Sequence, residues 1–118
     1  MKEEFNVKIN HKYNITLNSK GFAIVQNLFT NISTVFMPNK QGYIFIDQKR
    51  VNFKRLLYSK MYPNLDLTEK IVFALTPNNF SIDNLFAISK NELLLFKKYN
   101  FNLKKDNQTG VCYLQKSL

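Results

Sequence analysis

Tryptophan is absent from this 118-residue chain, and cysteine and histidine occur once each, as Cys112 and His11. One cysteine excludes an internal disulfide and any thiolate cluster with metal-ligand spacing. A thiol nucleophile needs a base beside it, and His11 stands about a hundred residues away in sequence. Cys112 falls in the apolar run Val111, Cys112, Tyr113, Leu114, where a small buried hydrophobe is the simpler reading. Carboxylates are scarce as well, eight Asp and Glu against 17 Lys and Arg. They show no paired spacing of the kind general acid–base chemistry uses, so the chain is expected not to be an enzyme and to need no cofactor and no metal. No run reaches the ~18 consecutive apolar residues of a membrane helix, and the N-terminal Met1, Lys2, Glu3, Glu4, Phe5 is no secretory leader. The expectation is a soluble, cytoplasmic protein, or one in the host cytoplasm if viral.

What is present is charge and aromatic surface. A net charge of +9 points to an anionic partner, nucleic acid or an acidic protein face. Arg50 and Arg55 are the only arginines, and Asn, Ile, Phe and Tyr are abundant. AT-rich codon usage explains Lys in place of Arg but not the shortage of acids. A 45% apolar fraction supports one core, and the whole chain, 1–118, reads as a single domain.

Along the chain, Phe5–Ile9 and Tyr13–Leu17 alternate apolar and polar, Asn18-Ser19-Lys20-Gly21 is a turn, and Phe22–Val25 is a strand. Thr34–Met37 and Tyr43–Ile46 form a second pair, followed by a turn over Asp47-Gln48-Lys49-Arg50. The period then becomes helical through Phe53, Leu56, Leu57 and Met61 until Pro63. Lys70–Leu75 and Ser81–Phe86 read as strands around a Thr76-Pro77-Asn78-Asn79 loop. Ser89 followed by Glu92 is a capping box opening a helix to about Tyr99, with Leu95, Phe96 and Tyr99 on its expected core side. A closing hairpin runs from Phe101–Lys104 to Val111–Leu114. The expected class is α+β: a strand-rich part over 1–52, a ββα part over 53–99 and a C-terminal hairpin over 100–118.

That order resembles the phage and intron proteins in which a strand-rich NUMOD4 segment precedes an HNH homing-endonuclease unit. The similarity rests on Tyr13-Asn14-Ile15-Thr16 through Gly21-Phe22, Gly42-Tyr43, Phe53-Lys54-Arg55-Leu56-Leu57, Met61-Tyr62-Pro63-Asn64, Phe73-Ala74, Asp83-Asn84-Leu85 and Asn91-Glu92-Leu93. The resemblance implies a nuclease-dead member. The family's Asp-His pair falls on Phe73-Ala74 and its closing metal-ligand Asn on Leu93, none of which takes a proton or binds a metal. Asn84 matches the residue that braces the loop.

The function expected from this is binding to nucleic acid, DNA before RNA, through a basic face. Its first part is Lys49, Arg50, Lys54, Arg55 and Lys60 around the first helix; its second is Lys90, Lys97 and Lys98 on the last helix, with Leu94 among them. Lysines act on phosphates as point charges and give affinity rather than sequence reading. Tyr62 and Phe80 are the aromatics expected to leave the core for base stacking. The alternative is a small phage protein acting on a host or defence protein complex, as an anti-CRISPR does, or joining the virion. Plasmid DNA incubated with the protein and Mg²⁺, Mn²⁺ or Ni²⁺ is expected to stay supercoiled; nicking that follows the protein through purification would contradict the non-catalytic reading.

Overall fold

The computed structural model describes residues 2–116, and strand dominates it, at 43% against 18% helix. Ten strands form four small antiparallel sheets, joined by two helices of nine residues each. The first sheet is a meander of β1 (Glu4–Lys8), β2 (Tyr13–Asn18), β3 (Phe22–Asn27) and β4 (Ser33–Phe36). Its register aligns Phe5, Leu17, Ala23 and Phe36 in one row and Val7, Ile15 and Val25 in the next. Strand side chains alternate, so these rows share one face and turn it to the core. The opposite face carries polar pairs such as Thr16, whose hydroxyl donates to Asn6 Oδ1 at 2.8 Å.

Three two-stranded sheets follow. The hairpin of β5 (Tyr43–Ile46) and β6 (Lys49–Asn52) runs straight into helix α1 (Phe53–Met61), with Asn52 as N-cap accepting from Arg55 N at 3.2 Å. Strand β7 (Lys70–Ala74) pairs with β8 (Leu85–Ser89), which runs straight into α2 (Lys90–Lys98). The capping box of Ser89 and Glu92 is fully formed at that junction. Strands β9 (Phe101–Lys105) and β10 (Cys112–Lys116) close the chain as a hairpin.

Isolated two-stranded ribbons are marginal in water, so their stability must come from packing. Helix α1 supplies it. Phe53, Leu57 and Tyr58 are completely buried and meet Ile15, Leu17, Leu85 and Ile88. The Tyr58 hydroxyl donates to Gly110 O in the last hairpin and lies 3.2 Å from Cys112 Sγ. That sulfur also accepts from Ala87 N of β8 at 3.4 Å. Gly110, at φ +78°, leaves room for the adjacent Tyr62 ring, since a Cβ there would lie 2.4 Å from Tyr62 Cγ. Lys105 runs beneath this junction. Its ammonium donates to Ile82 O at 2.6 Å and Leu85 O at 2.9 Å, within 5.1–5.9 Å of the Tyr58, Tyr62 and Phe86 ring centres.

The class is therefore mostly β, not α+β with an HNH-like ββα unit. What overturns that expectation is the strand content: ten strands in four small sheets, 43% of the described residues against 18% helix. Lys49 and Arg50, expected in a turn, belong to strand β6, and the turn is only Asp47-Gln48. A ββα unit also needs its helix buried against the hairpin, yet α2 has no buried residue. Leu93 and Phe96 are the α2 side chains packed toward the interior, whereas Leu95 and Tyr99, expected on the core side, are 42% and 53% exposed. Among the described residues no helix is long and apolar enough to cross a membrane.

Burial, foremost, holds the Tyr58 and Tyr62 phenols above their ordinary value of 10.0. Above pH 10.0 the unfolded chain releases these protons while the folded one keeps them, so stability falls with rising pH. Lys105 acts in the opposite sense: burial holds its ammonium below 10.5, so its contribution rises with pH up to that value. Denaturant titrations across pH 7–11 are expected to show stability dropping above about pH 10. Tyr58→Phe should flatten that drop and cost about 1–2 kcal/mol at neutral pH by stranding Gly110 O. An unchanged alkaline profile would remove Tyr58 from this role.

Candidate nucleic-acid interface

The β5–β6 hairpin is built by its turn. Asp47 at φ 51° and Gln48 at φ 65° form the two-residue link with left-handed backbone at both positions that matches strand twist. The register then pairs Tyr43 with Asn52 and Phe45 with Arg50 on one face, and Ile44 with Val51 and Ile46 with Lys49 on the other. Ile44 and Ile46 are buried, so the Tyr43, Phe45, Arg50 face looks outward, with Phe45 55% exposed. Before it, Asn39 Oδ1 accepts from Gln41 N and Tyr43 N, both at 3.0 Å, and fixes the entry of the chain.

Two cations converge on Tyr43. The Arg50 guanidinium lies 4.6 Å and the Lys54 ammonium 5.1 Å from its ring centre. Gly42, at φ +85°, permits this, because a Cβ there would meet the Lys54 stem at 2.6 Å. Lys54 is half-buried; burial first, then the neighbouring Arg55 charge, lowers its pKa from the ordinary lysine value. Lys49 is exposed on the hairpin and Lys60 at the end of α1.

Arg55, expected on the same basic face, is committed elsewhere. It donates from Nη1 to Lys70 O at 2.7 Å and from Nη2 to Leu67 O at 2.6 Å, bridging α1 to the start of β7. It lines a cavity of about 550 Å³ on the outer side of α1 with Leu56, Ser59 and Asp66. In the second cluster Lys90, Lys97 and Lys98 are all exposed. The two clusters sit on separate supports, α1 packing on β2, β5 and β7 and α2 on β8 and β9. Tyr62 and Phe80, expected as exposed stacking residues, are buried at 5% and 6%. Phe45 takes that place. Its signal was in the sequence: strict alternation Tyr43, Ile44, Phe45, Ile46 puts the two aromatics together and both isoleucines opposite.

The positions where the resemblance places nuclease chemistry are occupied by packing. Phe73 sits 6.3 Å from the Phe86 ring and 6.4 Å from Phe96, and Leu93 and Ala74 pack against the core. Asn84 ties the loop between β7 and β8, donating from Nδ2 to Thr76 O at 3.0 Å and Asn79 O at 2.6 Å and accepting from Thr76 N at 3.2 Å. Among the described residues no three His, Cys, Asp or Glu side chains cluster as a metal site would require. Comparison with protein-family models, with characterised proteins and with solved structures finds no match, so no family is assigned.

Cations that hold the fold and cations that lie on its surface should separate in a stability assay. Arg55→Ala removes two charge-assisted hydrogen bonds, leaving Leu67 O only its bond from Lys70 N, and is expected to lower unfolding free energy by about 2–3 kcal/mol. Lys49→Ala/Arg50→Ala should stay within about 0.5 kcal/mol of wild type. Urea melts of the two variants make the comparison, and equal losses would contradict the division.

Proposed function

We propose that this chain is a non-catalytic nucleic-acid-binding protein whose interface is the outward face of the β5–β6 hairpin. The observation that carries the reading is the exposed Phe45 beside Tyr43, with Arg50 paired to Phe45 and both Arg50 and Lys54 against the Tyr43 ring; Lys49, paired with Ile46, belongs to the other face. An aromatic ring free to take a base, set among charges that attract the backbone, is the combination by which strands without fixed sequence are held. Phe45 shifts the emphasis from the duplex toward unpaired nucleotides, because a base inside a duplex offers no free face to stack on. Net charge of +9 favours encounter with any polyanion and sets no sequence preference. The lysines of α2 lie outside this face and have no part in it.

The test separates stacking from charge. Binding of a labelled oligothymidylate is measured by fluorescence anisotropy over a salt series. Two phosphates neutralised on a single strand, by Arg50 and Lys54, give a slope of log K against log[salt] of roughly −1.4. Arg50→Ala should shallow it by about 0.7, the worth of one contact, and Lys49→Ala, on the other face, should leave it nearly unchanged. Phe45→Ala should leave the slope alone and weaken binding by about 1–3 kcal/mol, the worth of one stacked base. Lys2→Ala/Lys8→Ala, on β1 and its approach, should alter neither. Tighter binding to duplex than to single strand, or no effect of Phe45→Ala, would refute the proposal.

A further inference from the structure

Helix α2 carries an apolar surface that the fold does not use. Its residues include Leu94 at 58% and Leu95 at 42% exposure, and Tyr99 just beyond it is 53% exposed. The helix already packs inward through Leu93, against the core, and through Phe96, whose ring lies 6.4 Å from Phe73. The outer side chains are therefore surplus to folding. They are also shaped: Leu95 and Tyr99 form the shared wall of two hollows, of about 370 Å³ toward Leu94 and Lys98 and about 430 Å³ toward Phe101 and Lys116.

The charge around these hollows has one sign. Lys98 borders the first, with its ammonium 5.5 Å from the Tyr99 ring centre, and Lys116 borders the second. Among the described residues no carboxylate lines either one. The helix's own acid, Glu92, is held in the capping box, accepting from Ser89 N at 3.1 Å.

We propose that this surface docks a protein partner through an acidic amphipathic segment, its apolar side chains entering the two hollows and its carboxylates meeting Lys98 and Lys116. Each other occupant fails on a feature of the patch. A second copy in a symmetric pair would bring like lysines together across the contact. Nucleic acid would find its phosphates matched but nothing to place against Leu94 and Leu95. A lipid surface takes apolar side chains that protrude into it, whereas here the apolar walls enclose hollows that receive side chains. The surface is on α2, β9 and β10, and the inference stands independently of nucleic-acid binding at the β5–β6 hairpin.

The probe is a fluorescein-labelled 16-residue peptide of Leu, Phe, Glu and Ala, arranged so that a helix presents Leu and Phe on one side and Glu on the other. A matched peptide carries Lys wherever the first has Glu. By anisotropy at about 150 mM salt, the acidic peptide is expected to bind with a Kd of roughly 1–50 μM, and the basic one at least ten-fold more weakly. Leu94→Ser/Tyr99→Ser should weaken the acidic peptide ten-fold or more, with the circular dichroism spectrum unchanged. Should that variant lose its fold, Lys98→Glu/Lys116→Glu carries the test, because reversing the rim must invert the preference between the two peptides. No binding of the acidic peptide up to ~1 mM, equal binding of both peptides, or a preference that survives the reversal would overturn the proposal. So would a self-associated species in sedimentation velocity that Leu94→Ser dissolves, or Leu94-dependent co-sedimentation with phosphatidylserine vesicles in place of peptide binding.

Discussion

The structure depends on how one tyrosine joins pieces that share no backbone hydrogen-bonded sheet. Four small sheets, three of them only two strands wide, would each be marginal alone. Tyr58 sits where they meet: on α1, bonded to Gly110 O, beside Cys112 Sγ, with Cys112 in turn accepting from β8. Lys105 completes the junction by satisfying two carbonyls at the entry to β8 while its charge rests among three aromatic rings. Removing Tyr58 takes the strongest donor from Gly110 O, and removing Lys105 takes its ammonium from Leu85 O; an under-satisfied buried polar atom costs more than the bond contributes when made.

A second consequence of small sheets is a high ratio of turns to strands, and asparagine serves them. Asn10, Asn18, Asn27, Asn39, Asn52 and Asn79 each accept backbone N–H groups through Oδ1 at the start of a turn or helix. Codon bias makes asparagine abundant, and the fold gives these copies work that lysine would not do. The same separation applies to cations. Arg55 and Lys105 are bound to backbone carbonyls inside the molecule, and Lys54 is half-buried over Gly42. The charge presented outward is therefore smaller than composition suggests; part of it borders Phe45 on one hairpin and Leu94, Leu95 and Tyr99 on one helix.

Local chemistry was legible where the signal is local. The Ser89–Glu92 capping box, the helical spacing from Phe53 to Met61, the alternation in Tyr43–Ile46 and the last hairpin can all be read from neighbouring residues. What is set by partners far away in sequence was not. Nothing near Arg55 or Lys105 marks them as internal, because their acceptors lie 12 to 23 residues distant. Tyr62 is buried because Gly110 makes room for it, and α2 turns Leu93 rather than Leu95 inward because of where β8 delivers the chain. Turn chemistry also misled: Asp47-Gln48 takes left-handed backbone without glycine, so Lys49 and Arg50 were read as turn when they are strand. The mostly-β class follows from the ten strands and four small sheets taken together, and it is what separates this chain from an HNH-like ββα plan.

The central claim is that the outward face of the β5–β6 hairpin is where nucleic acid lies. A backbone amide NMR titration with a short oligothymidylate tests it most directly, since shift changes report location independently of affinity. Changes are expected to concentrate at Tyr43, Phe45, Arg50 and Lys54, with α2 and the β1–β4 sheet unmoved. Changes centred on Lys90, Lys97 and Lys98, or spread evenly over every exposed lysine, would contradict it.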